Sequence, residues 1–139
     1  MKVRFGRRFW IASVALFAIF CINLYGLYGD GFAKKYYVVP ETEHLIAAFF
    51  IAMWLSCFSR SVWFIIAGLL IVTGFWEGLE YYIATVPSAS TAVQNSLKIT
   101  DTAVDNWDTV LDVSLNFIGA LIFVYVDRRD NTGFPKFWK

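Results

Sequence analysis

The side chains able to do chemistry concentrate in one stretch, Asp101 to Gly119. Asp101, Asp105, Asp108, Asp112, Asn116 and Gly119 recur at steps of three and four. At helical pitch they fall within an arc of about 80°, so one helix face carries a polar stripe. Glu77 and Glu80 form a second acidic pair at i, i+3, and His44 is the single histidine. Carboxylates joined by one imidazole inside a helix bundle suit a hard divalent cation, or an acidic path for protons or cations. One histidine excludes the His-rich membrane oxygenases, whose metals need several imidazoles each.

The elements around these residues read as membrane spans. The chain has 139 residues, 58% hydrophobic and 17% charged, against about 25% charged in a soluble domain. Its length suits a single domain, residues 1–139. The net charge of +1 gives no footprint for nucleic acid. Cys21 and Cys57 sit in apolar runs without metal or redox spacing, and read as packing residues.

Residues 9–29 form an apolar run long enough to cross a bilayer core of roughly 30 Å. The basic start resembles a signal peptide, but no small-x-small cleavage site follows, so the run reads as an uncleaved first helix. Pro40, Glu41 and Glu43 mark a helix start, with proline and acids in the first turn, and a second helix is expected over 40–58. The third is expected over 62–84, where Gly68, Gly74 and Gly78 would permit close helix contact. Pro87 ends it. Residues 85–100 read as a polar outer loop and the most mobile element, 101–126 as the fourth helix, and 127–139 as a polar, basic tail.

The basic residues set the orientation. With both termini inside, Lys34, Lys35 and Lys98 are the only cations outside. The positive-inside rule then gives an all-α integral membrane protein, a four-transmembrane-helix bundle, N-in and C-in, in the cytoplasmic (inner) membrane. Trp10, Trp63 and Trp138 fall at the inner interface and Trp76 and Trp107 at the outer one. The aromatic face of the second helix, Phe49, Phe50 and Trp54, reads as lipid contact. Of the acids, only Asp127 and Asp130 lie inside. The outer acids come from three different helices at similar depth, which topology alone does not require.

Each polar residue has a bland reading beside the functional one. Asp101 and Asp105 read as solvated helix-start acids. Asp108 stands between that and a site role. Asp112 and Asn116 lie deep enough that lipid exposure is excluded, since a carboxylate at the bilayer centre costs about 2.5–3.5 kcal/mol on insertion scales. They must face the interior. Glu80 reads either as interior or as snorkelling to the interface, while Glu77 is deeper. His44 reads as a nitrogen ligand or as a neutral interfacial histidine paired with Glu41 or Glu43. The metal set on this reading is His44, Glu77, Glu80, Asp108 and Asp112, with Asn116 orienting Asp112 and Asp105 behind them.

The spacing Asp105-x-x-Asp108-x-x-x-Asp112 is like the magnesium-diphosphate motif of membrane prenyltransferases. That fold needs about nine spans and two such motifs, and CDP-alcohol phosphotransferases need a D-G-x-x-A-R continuation that is missing here. By contrast, F-W-E-G-L-E-Y-Y (75–82), then D-N-W-D-T-V-L-D (105–112) with Gly119-Ala120, resembles the YjdF-type family of small bacterial inner-membrane proteins. E-H-L-I-A-A-F-F (43–50) resembles that family's histidine segment loosely, with its glycine missing. The skeleton is also similar to VanZ-like proteins, whose D-x-x-x-N-x-x-G is matched by Asp112, Asn116 and Gly119. The resemblance covers roughly residues 41–126. It implies a membrane bundle with a site at His44, Glu77, Glu80, Asp108, Asp112 and Asn116, and names no reaction.

The expectation is therefore a cell-envelope protein, in contact with membrane lipid, with an outward-facing acidic site for a divalent metal ion between helices two, three and four. The rival expectations are a non-enzymatic subunit of a larger membrane complex, with homo-oligomers also open, and a proton or cation conductor.

Overall fold

Every described segment is helical. The computed structural model describes residues 5–23, 38–97 and 106–130, and these hold α1 (Arg7–Cys21), α2 (Val38–Ser56), α3 (Val62–Thr85), α4 (Pro87–Leu97) and α5 (Asn106–Asp130). The expected helix ends at 24–29, the segment 101–105 and the tail from 131 lie outside the described residues.

The helix boundaries differ from the expected ones for local reasons. α2 begins at Val38, two residues before Pro40. A proline in the first turn is tolerated because the N–H groups there have no intrahelical acceptor. The expected loop over 85–100 is mostly helix, and this corrects the sequence reading. Val86, which precedes Pro87, is extended at φ −102°, ψ 106°, the conformation a following proline enforces. That single residue separates α3 from α4. Pro87 then starts α4 with its fixed φ, and Ser90 N–H donates to Val86 O at 3.0 Å. α5 continues to Asp130, so residues 127–130 belong to the helix and not to the tail. Arg128 and Arg129 lie in its last turn, where cations favour the negative helix end.

Cross-helix pairings fix the directions. α2 and α5 run the same way: His44 faces Asp112, Leu45 and Ala48 lie against Gly119, and Phe49 meets Phe123 edge-on at 5.6 Å. α1 runs against α2, since Asn23 reaches Glu43 while Phe9 meets Trp54 and Phe58. α3 is likewise antiparallel to α2 and α5, with Thr73 beside Asn116 and Gly68 beside Leu55. α2 is the hub, packing most heavily on α5 and also contacting α1 and α3.

The contact between α2 and α5 is made by small residues. Ala48, Ala52 and Ala120 are buried there, and a Cβ on Gly119 would stand 2.2 Å from Leu45 O. The glycine that permits close approach is thus Gly119. Gly68 has a lesser role against the Leu55 side chain, while Gly74 and Gly78 face open space, correcting the expectation for α3. Phe49, Phe50 and Trp54 also depart from expectation: they are half-buried and packed on the core, because α1 and α5 flank that face of α2.

The bundle surface is rich in large apolar side chains, unlike that of a water-soluble bundle. Trp63 is 80% exposed and Ile71 72%, and Trp10, Phe17, Phe75, Trp107 and Leu121 are exposed as well. Among the described residues, the buried polar ones are Thr73, Asp112 and Asn116. α3 and residues 109–129 of α5 are each long and apolar enough to cross a membrane. Cys21 and Cys57 are free thiols.

Candidate functional site

Three helices contribute one titratable side chain each to a single point. Ligand atoms of His44 on α2, Glu77 on α3 and Asp112 on α5 all lie within 4.8 Å of one another. His44 Nε2 is 3.5 Å from Asp112 Oδ1. Asp112 is 6% exposed and Glu77 Oε1 is shut off from solvent. Of the two readings for His44, the geometry therefore favours contact with the interior acid of α5.

A second polar layer lies one turn below. Asn116 Nδ2 donates to Thr73 Oγ1 at 3.3 Å, with both residues buried. Thr73 precedes Glu77 by four positions and Asn116 follows Asp112 by four, so each pair shares one face of its helix. Because α3 and α5 are antiparallel, the two pairs meet in register, Glu77 with Asp112 and Thr73 with Asn116. The amide of Asn116, expected to orient Asp112, donates to Thr73. This bond joins α5 to α3 one turn from the site.

Beneath these layers the section is apolar. Met53, Leu69 and Phe123 are buried and Gly119 closes on Leu45. At the far end Arg8 donates to Asp127, joining α1 to α5.

The remaining expected residues divide as follows. Glu80 is half-buried but is not a member of the three-residue group. The Asp108 side chain and Asp105 lie outside what the structure describes, as does Asp101. Two participants were missed. Thr73, four residues before Glu77, carries no signal that sets it apart from other threonines in apolar helices. Asn23, which donates to Glu43 Oε2 at 3.2 Å, had none beyond its place at the end of the first apolar run.

A cavity of about 170 Å³ adjoins the site between α1, α2, α3 and α5. His44 belongs both to its wall and to the three-residue group, and Asn23, Glu43, Thr73 and Asn116 also line it.

The residues present fit a divalent ion. Metal–ligand bonds of about 2.0–2.6 Å place two ligands of one ion roughly 3–5 Å apart, which includes the 3.5 Å between His44 and Asp112 and the 4.8 Å limit for the group. One imidazole and two carboxylates suit Zn²⁺ or Mn²⁺, and three protein ligands leave coordination positions for water or substrate.

No family model, curated protein or solved structure matches this chain.

Proposed function

We propose that this chain is a four-span protein of the cytoplasmic membrane, N-in and C-in, that binds a divalent cation between His44, Glu77 and Asp112 on the outward side of the bilayer. The observation that carries the reading is the convergence of three titratable side chains from three helices, one of them a buried aspartate. A membrane environment is supported by the many large apolar side chains exposed on the bundle surface and by the two helices long and apolar enough to cross a membrane. α1 and α2 are the remaining spans. A bound cation would offset the desolvation of Asp112 and Glu77, which is otherwise costly at that depth. If the ion keeps an open position, it supplies Lewis-acid chemistry toward water or a phosphate-bearing head group. Binding is favoured over conduction because Met53, Leu69 and Phe123 fill the section below the polar layers. The order of the motifs along the chain further supports kinship with YjdF-type and VanZ-like membrane proteins.

Elemental analysis of the purified protein tests the metal reading. One equivalent of a divalent metal is expected in the wild type and much less in Asp112→Asn. Equal amounts in both, or none in either after supplementation, reject it. Reporter fusions at each terminus test the topology, and an outward terminus rejects it.

A further inference from the structure

The cavity beside the site has a chemistry of its own. Its walls are largely apolar, with Ile51 and Val72 beside the aromatic pair Phe20 and Trp76, whose rings meet edge-on at 6.5 Å. Into this space comes one carboxylate, Glu43, whose Oε2 accepts a bond from Asn23. Among the described residues that bond is the only one Glu43 makes, and no described cation pairs with it. The described arginines, Arg7, Arg8, Arg60, Arg128 and Arg129, all lie toward the opposite end of the bundle, while Glu41, Glu43, Glu77, Glu80 and Asp112 share this one. An acidic group among aromatic faces and apolar walls is the recognition set for an organic cation. The carboxylate takes the charge, the ring faces attract it further, and the walls cover the hydrocarbon.

We propose that this cavity binds a small lipophilic ammonium ion, with Glu43 as its counter-ion and Phe20 and Trp76 against its hydrocarbon body. Size sets the class. An apolar protein cavity of about 150 Å³ takes up benzene, so a space of about 170 Å³ has room for a single ring or a short alkyl chain. α1 packs on α2, and Phe20 with Trp76 is a ring contact that bridges α1 to α3. Of the three proposed metal ligands only His44 lines the cavity; Glu77 and Asp112 do not.

The test is calorimetric titration of the full-length protein in phosphatidylcholine nanodiscs, with empty nanodiscs subtracted. Benzylammonium is the probe and benzyl alcohol its neutral counterpart. The wild type is expected to bind benzylammonium at least tenfold tighter than the alcohol. Glu43→Gln should abolish that preference, and Ala47→Leu, which fills the cavity from its wall, should weaken benzylammonium at least tenfold. Equal affinity for the two probes in the wild type overturns the proposal without recourse to any variant. So does a charge preference that survives Glu43→Gln, or unchanged binding in Ala47→Leu.

Discussion

Gly119 touches Leu45 so closely that a methyl group on it would lie 2.2 Å from the Leu45 carbonyl oxygen. The obstruction is backbone, which a rotamer change cannot relieve. Gly119 is one turn below Asn116 and two below Asp112 on the same helix, and Leu45 is next to His44, so this contact sets the distance between α2 and α5 at the site. Gly119→Ala is expected to destabilise the protein by about 1–3 kcal/mol, as overpacking does, and to weaken metal binding because His44 and Asp112 are pushed apart. Gly74→Ala, at an open position, serves as the control. Thermal unfolding in detergent with parallel metal titration checks both. Equal behaviour of the two variants would show that the contact does not control the site.

Thr73 and Asn116 form a buried pair with no other partners among the described residues. Removing one leaves the other unsatisfied, so Thr73→Val or Asn116→Leu alone should cost about 1–3 kcal/mol. The double variant should recover part of the loss. Interhelical bonds of this kind in membranes show couplings averaging about 0.6 and reaching about 1.7 kcal/mol, and a value in that range is expected. A double-mutant cycle on unfolding in mixed micelles measures it. Strictly additive losses would mean that the bond does not hold α3 to α5.

This pair also shows what the sequence could reveal. The stripe from Asp112 to Gly119 was legible because a helix repeats every 3.6 residues and apolar surroundings make each polar residue conspicuous. Glu77 was legible as an acid too deep to ignore, and His44 as the only imidazole. Thr73 was not, because threonine is common in apolar helices and can satisfy its own hydroxyl locally, as Thr85 does with Tyr81 O at 2.7 Å. The separation of Glu77 from Glu80 was hidden too: at i, i+3 they share a face, and only the position of α2 decides which one meets His44. α4 is hidden in the sequence because Ser, Thr and Asn are weak helix formers, and Pro87, which fixes its first turn, reads equally well as a helix end.

The ligand set makes unequal demands on the acids. His44→Ala, Glu77→Gln and Asp112→Asn should each lower metal affinity at least tenfold, the scale on which even outer-shell partners act. Glu80→Gln should leave it within about threefold, because Glu80 stands outside the converging group. Metal removal should also lower stability. An ion held at 100 times its dissociation constant adds about 2.7 kcal/mol, so chelation should lower the unfolding midpoint of the wild type and leave that of Asp112→Asn in place. Competition titration with a chromophoric chelator measures affinity, and melting with and without chelator measures linkage. A Glu80→Gln loss as large as that of Glu77→Gln would redraw the site.

The ion pair at the other end of the bundle has a different task. Arg8 and Asp127 are part-buried and tie α1 to α5, two helices that otherwise meet mainly through α2. Exposed ion pairs contribute about 0–1 kcal/mol, whereas losing one partner of a buried pair costs about 3–5. A part-buried pair belongs between these limits, and Asp127→Asn is expected to cost about 1–2 kcal/mol. Metal binding should remain unchanged, since the buried apolar section of Met53, Leu69 and Phe123 separates this pair from His44. The exchange Arg8→Asp with Asp127→Arg should restore part of the stability while reversing both charges. Unfolding midpoints of the wild type, both single variants and the exchange give the comparison. An exchange no more stable than the worse single variant would show that Arg8 and Asp127 act separately, Arg8 as an interfacial cation and Asp127 as a solvated helix-end acid.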